Sequence, residues 1–220
     1  MPKKVLITAG ATEVRIDQVR AITNIFKGRT GLELAKHFKA RGYEVTLLTS
    51  SPKEAKRRYD GPIIPYRDYD ELTSAMYNQI TGNCPDIIIH SAAVSDYKCD
   101  GVFEDTGGQL KRLDASKKVS SSHKELFLRM LPTEKIIDKI KRDWGFKGIL
   151  VKFKLEVGIS DEDLIVIAQN SRTHSDADLI VANCLEWSRH HAYIISEEEN
   201  KKVVRNSLGE ELTKYLEEKK

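Results

Sequence analysis

Lys4-Val5-Leu6-Ile7-Thr8-Ala9-Gly10, followed only much later by Gly28-Arg29-Thr30-Gly31, decides how this chain is read. The first stretch is an apolar, β-branched run closing on small residues, the pattern of a buried first strand and its loop. An amphipathic helical pattern follows, but only from about Gly31 to Arg41. In a dinucleotide-binding fold the glycine turn feeds straight into that helix, so that pyrophosphate rests on the helix N-terminus. Here seventeen residues intervene, Ala11 to Lys27, and they carry Asp17, Arg20, Thr23 and Asn24. Long polar excursions at the mouth of a compact α/β fold are usually functional. The spacing predicts a substrate-recognition element beside a modified phosphate site.

Outward from that opening, short β-branched runs alternate with helical patterns, the signature of a parallel α/β sheet. Strands are expected at Lys3–Thr8, Glu44–Thr49, Asp86–His90, Gly148–Leu155 and Asp178–Ala182. Helices are expected at Thr30–Arg41, closed by Gly42, at Asp70–Ile80, at Thr133–Asp143 with Thr133 as N-cap, and at Asp161–Arg172 behind Ser160. Lys98–Lys124 is rich in glycine, serine and charge and poor in periodicity, which predicts a flap without regular structure, and Glu125–Met130 alternates like a strand. His191–Ser196 and Lys201–Arg205 read as a β-hairpin, and Ser207-Leu-Gly-Glu210 as a capping box opening a last helix that runs to about residue 219. The fold class is α/β: a Rossmann-like, doubly wound, mostly parallel sheet with an appended C-terminal β-hairpin. No repeat or linker divides it, so residues 1–220 are expected to form one domain.

Composition narrows the class of function. Basic and acidic residues nearly balance, 36 against 33, which speaks against bulk nucleic-acid binding. No apolar run approaches the length of a membrane span, and Pro2-Lys3-Lys4 leads directly into the first strand without a signal segment. Three widely spaced cysteines, Cys84, Cys99 and Cys184, make no disulfide or metal framework. A cytoplasmic protein without membrane or nucleic-acid partners is expected.

Each candidate site residue has a structural reading beside the chemical one. Gly10, Gly28 and Gly31 let backbone approach phosphate, or simply close a turn against the sheet. No G-x-G-x-x-G and no Walker sequence is present, which argues against an ordinary NAD site and a P-loop. Asn24 offers donor and acceptor to an acid or amide, or forms a turn. Arg20 is suited to grip a carboxylate with Asp17 orienting it, or to pair on the surface. Ser91-Ala-Ala-Val-Ser-Asp96, with Ala93 at its centre, lies at the carboxyl end of a central strand, where ligands bind in open sheets. Asp96 there accepts from a base or ribose or holds a divalent cation, or caps a turn. Lys111, Lys117, Lys118 and Lys124 populate the flap, either reaching phosphates or solvated. Phe153 and Lys154 end another strand and can stack a base and meet charge, or pack and snorkel. His190-His191 invite a metal reading, but neighbours on a strand face opposite ways.

Taken together, Val5-Leu-Ile-Thr-Ala-Gly-Ala-Thr12, Ile16-Asp-Gln-Val-Arg-Ala-Ile-Thr-Asn24, Gly28-Arg-Thr-Gly31, Ala92-Ala-Val-Ser-Asp-Tyr97 and Asp178-Leu-Ile-Val-Ala-Asn183 resemble phosphopantothenate–cysteine ligase. That is the synthetase part of the bifunctional coenzyme A biosynthesis flavoprotein. The similarity covers about residues 4 to 185, and with no decarboxylase segment ahead of it the chain looks like a stand-alone form. The resemblance implies a ligase that converts the 4′-phosphopantothenate carboxylate to an acyl-nucleotide, with CTP or alternatively ATP, and then delivers the acyl group to cysteine. It implies Mg²⁺ with the nucleotide, no identified metal ligands, and a homodimer whose sites form across the interface.

Residue by residue, it assigns Asn24 to the acyl intermediate, with Arg20 in the same motif, and Lys118 to the phosphates. Gly10, Gly28, Ala93, Asp96, Phe153 and Lys154 go to the nucleotide. Three departures stand out: Ala11 replaces a second glycine, Phe26 and Lys27 replace loop hydroxyls, and Ser171 and the His174-Ser175 region replace lysines near the base. The competing readings are a Rossmann-type NAD(P)-dependent oxidoreductase, against which the glycine spacing counts, and a non-catalytic nucleotide-binding protein.

Overall fold

The computed structural model describes residues 1–218. In chain order the elements are β1 (Lys4–Ala9), β2 (Glu13–Arg15), β3 (Ala21–Thr23), α1 (Arg29–Ala40), β4 (Glu44–Thr49), α2 (Pro52–Arg58), β5 (Ile63–Pro65), α3 (Tyr69–Asn83) and β6 (Ile87–His90). There follow β7 (Tyr97–Asp105), β8 (Leu110–Arg112), β9 (Phe127–Pro132), α4 (Ile136–Arg142), β10 (Ile149–Glu156), α5 (Asp161–His174), β11 (Leu179–Cys184), β12 (His191–Ile195), β13 (Asn200–Val204) and α6 (Leu208–Glu218). Eight strands form the main sheet in the order β13-β12-β11-β10-β6-β1-β4-β5, parallel from β5 to β11 and antiparallel through β12 and β13. The expected doubly wound, mostly parallel sheet is present. The C-terminal hairpin extends that sheet by two strands rather than standing apart from it.

Strand residues alternate between two cores, as the two-residue period requires. Val5, Ile7 and Ala9 of β1 face α1 and α6, where Leu34, Ala35, Phe38, Leu212 and Leu216 close the layer. Leu6 of β1, with Ile88 and Leu150 beside it, faces Leu72, Met76 and Ile80 of α3 and Ile136 and Ile140 of α4. Further along, α5 presents Leu164 and Ala168 to Ile180, Ala182 and Ile195. Truncating a fully buried member such as Phe38 to alanine costs about 3–5 kcal/mol. Ser160 caps α5 by accepting the Asp163 N–H at 3.1 Å, and Gly42 follows α1 with φ +85°, both as the sequence predicts. No helix among the described residues is long and apolar enough to cross a membrane.

Three expectations are corrected. The flap is not without regular structure: Tyr97–Asp105 is a nine-residue strand at the centre of a second, three-stranded antiparallel sheet, β8-β7-β9. Only Val102 along it is buried, so hydropathy carries no alternation to read. Thr133 is not an N-cap, because α4 begins three residues later; its hydroxyl donates to the Ser95 carbonyl at 2.8 Å and its N–H to that of Asp96. Ser207 does not open α6 as a capping box: it ends a 3₁₀ turn, Arg205–Ser207, that runs directly into the helix.

Candidate active site

The parallel strands end at one edge, and the loop after β1 crosses the loop after β6 there. Ala93 donates its N–H to the Gly10 carbonyl at 2.8 Å, and Ala93 receives the Thr12 N–H in return at 3.2 Å. Gly28 caps α1 in the left-handed conformation, φ +78°, and offers no side chain to the first-turn amides. A β-carbon on Gly28 would sit 2.3 Å from the Gly10 nitrogen, and one on Gly10 would sit 2.1 Å from Ser50 Oγ. Gly10, Gly28 and Ala93 are thus brought together, and only glycine fits at the first two. The uncapped amides of α1 beside them form a cradle suited to anions.

The excursion after β1 folds as a hairpin, β2 paired with β3, with its turn at residues 16–20. Asp17 organises that turn: Oδ1 accepts the N–H groups of Val19 and Arg20, each at 2.8 Å. Oδ2 accepts Arg20 Nε at 2.9 Å and, from the flap, the Val119 N–H at 3.1 Å. Arg20 Nη2 also donates to the Val119 carbonyl at 2.8 Å. The carboxylate and the guanidinium therefore hold both backbone polar groups of one residue, Val119. The Asp17 side chain is wholly shielded, and the Arg20 guanidinium with the converging amides holds its carboxyl far below the usual carboxylate range.

This geometry redefines Arg20. Read from sequence as a carboxylate grip oriented by Asp17, it does pair with Asp17, but its Nε and Nη2 are taken up by that carboxylate and by the flap backbone. Lys118 precedes the clamped peptide and is exposed, and Asn24 is exposed just beyond β3, between Arg20 and the Gly28 cradle. Asp96 forms an exposed ion pair with Lys135. Phe153 packs against the core under α1 and α6, while Lys154, on the opposite face of β10, pairs with Glu156 at 3.0 Å. The sequence reading missed the Val119 peptide, because a backbone group has no residue signature. It also missed Thr12, whose hydroxyl accepts the Ser95 N–H at 2.8 Å, and Ser50, whose hydroxyl accepts the Ala11 N–H at 3.0 Å. Small hydroxyl residues at strand ends were the available signal.

Fold and site together define a doubly wound α/β protein with an anion cradle at its carboxyl edge and a hairpin-anchored flap above it. Within that class, the chain belongs to the DNA/pantothenate metabolism flavoprotein C-terminal domain family, whose model matches residues 1–220. It is 34% identical over 184 residues to the coenzyme A biosynthesis bifunctional protein CoaBC of Thermococcus kodakarensis, covering 84% of this chain and 42% of that protein. To the CoaBC of Methanocaldococcus jannaschii it is 30% identical over 210 residues, 91% of this chain and 46% of the relative. The chain spans under half the length of these relatives. A crystal structure of the DNA/pantothenate metabolism flavoprotein from Streptococcus pneumoniae superposes with a TM-score of 0.84 at 27% identity over all of both chains.

Proposed function

We propose that this chain is a phosphopantothenate–cysteine ligase of coenzyme A biosynthesis, working through an acyl-nucleotide formed from CTP or ATP. The observation that carries the reading is the clamp on Val119. It fastens a lysine-bearing flap to the same hairpin that presents Asn24, next to the glycine cradle. Membership of a family whose longer members are named for coenzyme A biosynthesis supports the substrate pair.

In the first step a carboxylate oxygen of 4′-phosphopantothenate attacks the α-phosphorus of the nucleotide, and pyrophosphate leaves. Two like-charged groups must meet, so cationic and N–H donors are needed around the phosphates. The α1 amides beside Gly10 and Gly28 and the Lys118 ammonium are assigned that part. In the second step the cysteine amine attacks the acyl carbon, an amide forms, and the nucleoside monophosphate departs with the former carboxylate oxygen. Asn24 holds the acyl carbonyl through both steps, as an amide able to donate and accept. Ala93 and Asp96 border the nucleotide, Lys154 meets its charge from one face of β10 while Phe153 stays packed against the core on the other, and Arg20 acts by holding the flap.

No three His, Cys, Asp or Glu side chains among the described residues cluster as a metal cage. The residues do not fit a resident metal, so magnesium enters with the triphosphate, whose oxygens are its natural ligands. Val19, Ile22, Ile25 and Phe26 on the hairpin side, and Tyr97, Leu110 and Phe127 on the flap sheet, are exposed apolar residues. They support a homodimer formed through these elements. The test is isotopic: phosphopantothenate labelled with ¹⁸O in its carboxylate must deliver one labelled oxygen to the nucleoside monophosphate on turnover. Label found only in the amide product would exclude the acyl-nucleotide.

A further inference from the structure

Beneath the cradle, three neighbouring strands carry polar side chains at one level. Thr8 on β1 is in register with His90 on β6, and His90 with Lys152 on β10. All three are more than nine-tenths buried, in the layer directly above Leu6, Ile88 and Leu150. Such a row is costly unless its hydrogen bonds are made. Thr8 Oγ1 lies 2.9 Å from His90 Nδ1 and accepts the Ala92 N–H at 3.1 Å. Ser91 Oγ donates to the Thr8 carbonyl at 2.6 Å. Lys152 Nζ donates to the Ser171 carbonyl and hydroxyl, both at 2.9 Å, and to the Ser175 hydroxyl at 2.6 Å. That exhausts the three donors of the ammonium and ties β10 to α5.

The hydroxyl has one proton to give. With one lone pair taken by the Ala92 N–H, the satisfying arrangement has Thr8 donate to an unprotonated Nδ1, which requires a neutral His90. Burial, reinforced by the Lys152 charge alongside, holds the imidazole down at about 4, so it stays neutral at working pH. The Ala92 N–H begins the loop whose next residue locks onto Gly10 and which ends at Asp96. We infer that His90 is a positioning residue for the nucleotide site, acting through the Thr8 hydroxyl to hold the Ala92 peptide and so the Ala93–Asp96 loop. This inference rests on the reading that the loop borders the nucleotide.

The test uses Thr8→Val, His90→Leu, His90→Asn and the Thr8→Val/His90→Leu double variant, with two readouts. The first is hydrogen exchange of the Ala92 amide by NMR; the second is the kcat and nucleotide KM of pyrophosphate release. Asparagine carries Oδ1, a neutral acceptor, one bond from Cγ as Nδ1 is. Expected are Ala92 exchange faster by about tenfold or more in His90→Leu and Thr8→Val, near wild type in His90→Asn, and no further loss in the double variant. The nucleotide KM should rise in the first two and recover in the asparagine variant. Unchanged Ala92 exchange in His90→Leu, or losses that multiply in the double variant, would overturn the inference. Should the wild-type protein release no pyrophosphate, the functional reading falls, and the exchange measurement still decides the His90 relay.

Discussion

The Asp17 carboxylate accepts the N–H of Val119 across 102 positions of sequence, at 3.1 Å. With Arg20 on the carbonyl of the same residue, a flap of mostly exposed side chains is fastened by the backbone of one residue. Asp17→Asn should release it, because an amide cannot serve the guanidinium and the three backbone N–H groups that converge on the carboxylate. Tryptic cleavage after Lys117 and Lys118 should accelerate about tenfold or more while global melting changes little. Pyrophosphate formation should fall on the order of a hundredfold, as expected when the lysine proposed to meet the phosphates loses its position. Cleavage and turnover that match wild type would mean that the flap is held elsewhere.

Gly28 and Gly42 separate two reasons for placing a glycine within one molecule. Both have positive φ, but a β-carbon at Gly28 meets the Gly10 backbone at 2.3 Å, whereas one at Gly42 meets nothing within 4 Å. Gly42→Ala should cost only the left-handed strain, about 1–2 kcal/mol, or a few degrees in Tm. Gly28→Ala should lower Tm further and abolish nucleotide binding by calorimetry. Equal effects of the two substitutions would contradict the cradle.

The proposed division of labour separates Lys118 from Asn24. Lys118→Ala should slow pyrophosphate formation about a hundredfold, with weaker effect on phosphopantothenate affinity. Asn24→Ala should instead slow capture by cysteine, so that acyl-nucleotide accumulates and is seen after an acid quench. Parallel losses in both steps for either variant would indicate a structural role.

Buried His90 and Lys152 give a signed pH dependence of stability. His90 falls from an ordinary 6.5 to about 4 in the folded protein, so the unfolded chain binds more protons between those values and stability drops as pH falls through that window. Lys152 is lowered from 10.5 to about 8, chiefly by burial, with Lys154 and Lys135 acting the same way and Asp138 opposing. Its unfolded form binds more protons between about 8 and 10.5, so stability rises with pH there. Each shift corresponds to about 3 kcal/mol at full span. Denaturant midpoints of His90→Gln should be flat relative to wild type from pH 6.5 to 4, and those of Lys152→Met from pH 8 to 10.5. Slopes unchanged by these substitutions would contradict the assignments.

The sheet was legible because its strands are apolar and its glycines mark the turns: β1, β4, β6 and β10 lie within a residue or two of their expected places. The short β5 and the helix α2 escaped, having three and seven residues and too few turns of pattern. The flap strand β7 escaped because its partners are other exposed strands, not the core. In the site, Gly10, Gly28 and Ala93 lie together, since small residues at strand ends allow close backbone approach. What residue types could not convey is every partner a charged group takes: Arg20 met Asp17 as read but also the Val119 carbonyl, and Asp96 turned to Lys135.

The most direct measurement is pyrophosphate release by the purified protein with each of CTP, ATP, GTP and UTP, with and without phosphopantothenate and cysteine. The account predicts release that requires phosphopantothenate, occurs with CTP or ATP, and is limited to about one equivalent per site until cysteine is added. Release indifferent to the acid, or none with any of the four nucleotides, would contradict it.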